Sequence, residues 1–311
     1  MLVFSVAKKV LTFESIKIGS MRIVKYIVLL GLVSCSSPAK KDALLFSFPK
    51  KIKEVSGIKT TANSNLIWAI QDSGNPNEIY GIDQNGSVSK TISVTNAENI
   101  DWEDITSDKE GNLYIGDFGN NDNDRKDLAI YKINNKNLEQ SEVASEYKIT
   151  FNYPEQTDFP PNKKELFYDC EGFFEMNNHF NLFTKNRSKN FDGTTFLYKI
   201  PNTPGNHQAV LLGKFKTCSD YDSCVITSAA ISQDHKKVAI LGHDTVWVFE
   251  NFSGDNFLNG KVTSYQLDNF SQKEAVCFKD NATLFIADEI DKKTGGGNLY
   301  EYVISDLKTK E

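Results

Sequence analysis

Three glutamates, Glu103, Glu171 and Glu274, each stand two residues ahead of an interval that ends on a polar side chain twelve residues later. The intervals run from Ile105 to Asp117, from Phe173 to Lys185 and from Val276 to Asp288. A fourth, Ile231 to His243, has Ala229 in the glutamate position; a fifth, Ile58 to Asp72, has Ser56 there and is two residues longer. Carboxylates gathered at one place repel one another and raise each other's pKa unless a cation joins them. Hard oxygen donors of this kind suit Ca²⁺ or Mg²⁺ better than zinc. Glu103, Glu171, Glu274, Asp117 and Asp288 are therefore candidate Ca²⁺ ligands. Lys185, His243 and Arg125 are candidates to stabilise charge or move protons beside it. The plainer alternative is that the acids satisfy backbone groups at strand ends and bind water.

What must position these residues is a repeated β unit. Each interval passes through a polar turn into a continuous apolar run, as in Leu113-Tyr-Ile-Gly or Val238-Ala-Ile-Leu. An alternating stretch follows each one, such as Leu128-Ala-Ile-Tyr-Lys-Ile and Thr245-Val-Trp-Val-Phe-Glu, and a further strand follows most of them. Continuous runs suit strands buried on both faces, and alternating ones suit strands with one wet face. Four short strands per unit, repeated, predict an all-β chain folded as a β-propeller. The starts at 56, 103, 171, 229 and 274 give five blades, with a sixth inside the long interval 103–171 as the alternative. A β-sandwich would not explain the fixed spacing. The last unit lacks a fourth strand, and Leu44-Leu-Phe-Ser-Phe could supply it and close the ring. In a propeller the first strand of each blade lines the channel, so the recurring glutamate position forms a ring near one mouth.

Ahead of this domain lies a targeting signal. Met21-Arg-Ile-Val-Lys is a short basic start, Tyr26 to Val33 is apolar, and Leu32-Val-Ser-Cys35 resembles a bacterial lipobox. That apolar run is far below the ~20 residues needed to cross a bilayer. The expected organisation is a signal over residues 1–34, with 1–20 a misassigned start or a long basic region. A lipidated tether follows over 35–43, then one propeller over 44–311. Ser36 and Ser37 favour the outer membrane, and the absence of an acidic run after Cys35 favours its periplasmic side. The precursor carries a formal −6; its first 34 residues hold five basic groups and one acid, so the chain from Cys35 onward carries about −10. Without a basic cluster, nucleic acid is a poor partner. Cys218 and Cys224 bracket a polar loop and would form a disulfide in an exported protein, whereas Cys170 and Cys277 read as apolar fillers.

The densest motif is Asp101-Trp-Glu-Asp-Ile followed by Gly116-Asp-Phe-Gly-Asn-Asn-Asp-Asn-Asp-Arg125. It lacks the closing Glu of an EF-hand loop and reads as an Asx-rich turn, with Arg125 holding an anionic ligand or a neighbouring carboxylate. Together with Tyr168-Asp-Cys-Glu-Gly-Phe, Thr184-Lys185, Glu274-Ala-Val and Ala287-Asp-Glu, it resembles exported bacterial propellers related to the esterase-like phytase and SdiA-regulated families. That resemblance spans about residues 50–305. It implies a propeller with an acidic, Ca²⁺-binding mouth and points to Glu103, Glu171 and Glu274. Ala229 breaks the ring it implies.

His179, His207, His235 and His243 show no zinc spacing, and neither a nucleophile elbow nor a P-loop is present. The expected function is a membrane-tethered propeller that binds a small molecule or protein at the acidic mouth. The alternative is a metal-dependent hydrolase of phosphoesters or lactones.

Overall fold

The structure is a computed structural model that describes residues 43–310. Cys35 and the expected signal segment over residues 1–34 lie outside the described residues. Five sheets form the five blades of a propeller. Their innermost strands are Val55–Thr60, Trp102–Ser107, Asp169–Met176, Ser228–Ile231 and Lys273–Phe278. Each pairs antiparallel with the next strand outward, and so on through the first four strands of the blade.

The apolar pattern decides which strand lies where. Second strands such as Ile67–Gln71 and Leu113–Asp117 are buried along their whole length. Outer strands alternate, and Val210–Lys216 is exposed at every second residue. Apolar side chains of neighbouring blades interdigitate in five clusters, one between each adjacent pair. Trp68 and Trp102, both buried, meet in the cluster between the first two blades. At about 25 cal/mol per Å² over some 150–250 Å², each indole contributes on the order of 4–6 kcal/mol before conformational entropy is charged against it.

The ring closes where the sequence places the closure: Leu44–Ser47 pairs antiparallel with Asn298–Val303 as the outer strand of the last blade. Three blades also carry a short fifth strand. Glu142–Val143 adds to the first blade, Gly205–Gln208 to the second and Lys308–Thr309 to the fourth. These additions cover edges that would otherwise present unpaired backbone groups. The long interval 103–171 holds no sixth blade. Its residues 153–168 form a loop containing Pro154, Pro160 and Pro161, which cannot donate to a strand ladder.

At the waist of the channel the inner strands touch. A Cβ on Gly172 would stand 2.4 Å from the Ala229 backbone nitrogen, so only glycine admits that approach. Asp104 crosses the same region. Its Oδ2 accepts from the Phe173 N–H at 3.1 Å and from Ser228 Oγ at 3.2 Å, and Ser228 Oγ accepts from the Val276 N–H at 3.2 Å. One buried carboxyl thus joins three blades and reaches a fourth through a hydroxyl.

Candidate functional site at the acidic mouth

The glutamate position is a β-bulge. Pairing registers shift between Val55 and Gly57, Trp102 and Asp104, Cys170 and Gly172, and Lys273 and Ala275. The extra residues are Ser56, Glu103, Glu171 and Glu274. A bulge turns its extra residue away from the regular alternation and re-aims the side chain. The fourth blade pairs Ser228–Ile231 with its neighbour in unbroken register, and there the residue is Ala229.

At this mouth the charges fall into two halves. In one, single oxygens of Asp72, Asp101 and Glu103 all lie within 4.8 Å of one another, and a second set joins Glu103 to Asp169 and Glu171. Among the described residues Asp72, Asp101 and Glu103 have no ion pair, and Asp101 Oδ1 is buried with no hydrogen-bond partner. Gly119 makes room for them: a Cβ there would stand 2.2 Å from Glu103 Oε1 and 2.4 Å from Asp101 Oδ2. Burial, and then the charge of Asp72, pushes Asp101 up to about 7. Burial also raises Asp72, and burial with the facing carboxylates raises Glu103 well above its ordinary range.

The other half is compensated. Lys185 Nζ lies 3.0 Å from Glu171 Oε2, and Arg187 contacts both Glu171 Oε1 at 2.9 Å and Asp169. The charge of Glu171 and Glu274 holds Lys185 above its ordinary value, against the pull of burial. His243 lies 3.4 Å from Glu274 Oε1, and its Nδ1 lies 2.6 Å from the Asp222 carbonyl, which fixes the proton on Nδ1. Burial alone would raise Glu274, but Lys185 and His243 hold it below its ordinary value. Asp222 sits on a short helical turn, Tyr221–Cys224, closed by the Cys218–Cys224 disulfide.

Other residues singled out in the sequence have separate partners. Asp117 Oδ1 binds Arg125 at 3.0 Å and the Asp101 N–H at 3.1 Å. Arg125 also donates to the Gly119 carbonyl at 2.8 Å, steadying the glycine beside the carboxylates. Asp288 accepts from Ser271 Oγ, Tyr300 OH and the Asn298 N–H at 2.6, 2.9 and 2.8 Å, inside the last blade. In the Asx-rich turn Asn120 Oδ1 accepts from the Arg125 N–H and Asn123 Oδ1 from the Tyr168 N–H, so these amides serve the backbone.

Sequence reasoning places Asp101, Asp169 and Glu289 within motifs but gives them no role at the mouth, and it passes over Arg187. The first two carried a signal: Asp101-Trp-Glu and Asp169-Cys-Glu repeat the same D-x-E step. Arg187 and Glu289 have no counterparts at a recurring position. Glu289 follows Asp288, and burial with the nearby Glu274 raises it to about 8. No protein-family model and no curated protein sequence matches this chain. Function is therefore read from the site itself.

Proposed function

We propose that the protein is a ligand-binding propeller whose acidic mouth holds a divalent cation, Ca²⁺ first among them, between Asp72, Asp101 and Glu103. The observation that carries this is a set of oxygens, one each from Asp72, Asp101 and Glu103, within 4.8 Å of one another, together with a buried Asp101 Oδ1 that has no hydrogen-bond partner. Oxygens at that separation can share one Ca²⁺ at ~2.3–2.6 Å each. Oxygens of the ligand would complete the coordination of the bound cation at this mouth. Binding without chemistry is favoured over hydrolysis because both cationic candidates are committed, Lys185 to Glu171 and Arg125 to Asp117. His243 has its Nδ1 on the Asp222 carbonyl, and its Nε2 faces Glu274 Oε1 at 3.4 Å without a hydrogen bond. The disulfide supports an oxidising compartment. In this proposal the domain is held by lipid on Cys35 at the periplasmic side of the outer membrane, and it is related to the phytase-like and SdiA-regulated propellers.

Thermal unfolding in EDTA and in Ca²⁺ tests the cation. At 100 times its Kd a bound ion adds about 2.7 kcal/mol. Asp101→Asn/Glu103→Gln should abolish the gain, while Glu274→Gln should retain it. The absence of any Ca²⁺-dependent shift in the wild type would remove the cation from the proposal.

A further inference from the structure

The inner strands run from the acidic mouth to a second opening, where Thr60, Ser107, Ile231 and Phe278 end four of them and Glu175 nearly ends the fifth. These ends enclose a cavity of about 230 Å³. Three basic side chains line it: Lys59, partly buried on the first inner strand; Lys109, exposed in the loop after the second; and His235, partly buried in the turn after the fourth. None of the three has a hydrogen bond or an ion pair from its side chain among the described residues.

The acids that share the cavity are occupied. Asp108 accepts from the Asn112 N–H, from Asn112 Nδ2 and from Tyr114 OH at 2.9, 2.7 and 2.8 Å. Glu175 Oε1 accepts from the Asn178 N–H at 2.6 Å, and burial raises its pKa. These donors are neutral and do not cancel the charge of the acids, but neither acid pairs with Lys59 or Lys109, so both ammonium groups are open to a ligand in a chain that is acidic as a whole. An unpaired, partly desolvated ammonium is costly to keep, and burial holds Lys59 below its ordinary value.

We propose that this second opening is a separate binding site for a small oxyanion, a phosphate or a carboxylate, seated on Lys59 with Lys109 and His235 at its rim. The cavity falls short of the ~300–1,000 Å³ typical of sites for drug-sized ligands, which suits an anion of a few heavy atoms. Thr61 and Ser107 also line it and bring hydroxyl groups for further hydrogen bonds.

The test is calorimetric titration of inorganic phosphate, and separately of acetate, into the purified protein at constant ionic strength. EDTA is present throughout, so that the cation at the acidic mouth plays no part. One equivalent of phosphate or acetate should bind; the stronger of the two responses names the anion class. Lys59→Met should weaken that binding at least tenfold and Lys109→Gln about threefold, whereas Lys261→Gln, exposed on an outer strand away from both openings, should leave it unchanged. Lys109 is exposed, so Lys109→Gln keeps the test decisive if Lys59→Met does not fold. Saturable binding of neither anion, binding indifferent to both cavity variants, or binding lost in Lys261→Gln would overturn the proposal.

Discussion

The two openings of the channel are made by the same five strands, yet they handle charge in opposite ways. At the acidic mouth, bulges aim Glu103, Glu171 and Glu274 off the regular alternation. Half of the resulting charge is answered by Lys185, Arg187 and His243, and half is left to Asp72, Asp101 and Glu103. At the other opening the acids are bonded to neighbouring donors and the cations stand alone. Between them Asp104 and the close-packed glycines shut the waist. One fold thus presents a mouth with unpaired carboxylates and an opening with unpaired ammonium groups, with the buried Asp104 between them.

Exchanging a lysine for methionine at each end should break this symmetry most strongly. Lys185→Met strands the buried Glu171 with Arg187 alone and should cost about 3 kcal/mol, read by urea unfolding. Lys59→Met removes a cation with no ion pair to lose, and should fall within about 0.5 kcal/mol of the wild type or stabilise it. Equal losses at both ends would contradict the distinction. The next effect belongs to the acidic mouth alone: Cys218→Ser/Cys224→Ser opens a short loop and should cost about 2 kcal/mol. It also frees the turn whose Asp222 carbonyl holds His243, and anion binding at the far opening should be unaffected.

A third contrast is with pH. Asp101 is pushed up to about 7 in the folded protein, so its contribution is fully present below the ordinary carboxylate range and is lost as pH rises through 7. In EDTA, stability should therefore fall between about pH 4 and 7, by no more than about 1.4 kcal/mol per pH unit for each such carboxyl. Glu274, held below its ordinary value, runs the other way and loses its contribution as pH falls. Asp101→Asn should flatten the decline, and Ca²⁺ should suppress it. A profile unchanged by either would place the strain elsewhere.

How much of this could be read from the chain follows from what recurs in it. The blades, the closing strand and the glutamate position repeat with a fixed period, and periodic burial is what sequence displays best. The bulge does not show, because it is a property of pairing between two strands rather than of one. Yet the single alanine, Ala229, falls in the blade without a bulge. Asp288 occupies the same interval end as Asp117, but Ser271 and Tyr300 draw it into its own blade. No spacing rule anticipates that. The two-residue strands Glu142–Val143 and Lys308–Thr309 are too short to carry a pattern. The second opening was invisible because its lysines and histidine sit at strand ends and turns with no shared residue type.

The central claim is that a cation sits among Asp72, Asp101 and Glu103, and anomalous scattering tests it most directly. Crystals soaked in Mn²⁺ or Tb³⁺ should show one strong difference peak at the acidic mouth, bonded to oxygens of those three residues. That peak should disappear in Asp101→Asn/Glu103→Gln. A peak confined to the Asx-rich turn at 119–125, or no peak at the mouth at all, would contradict the account.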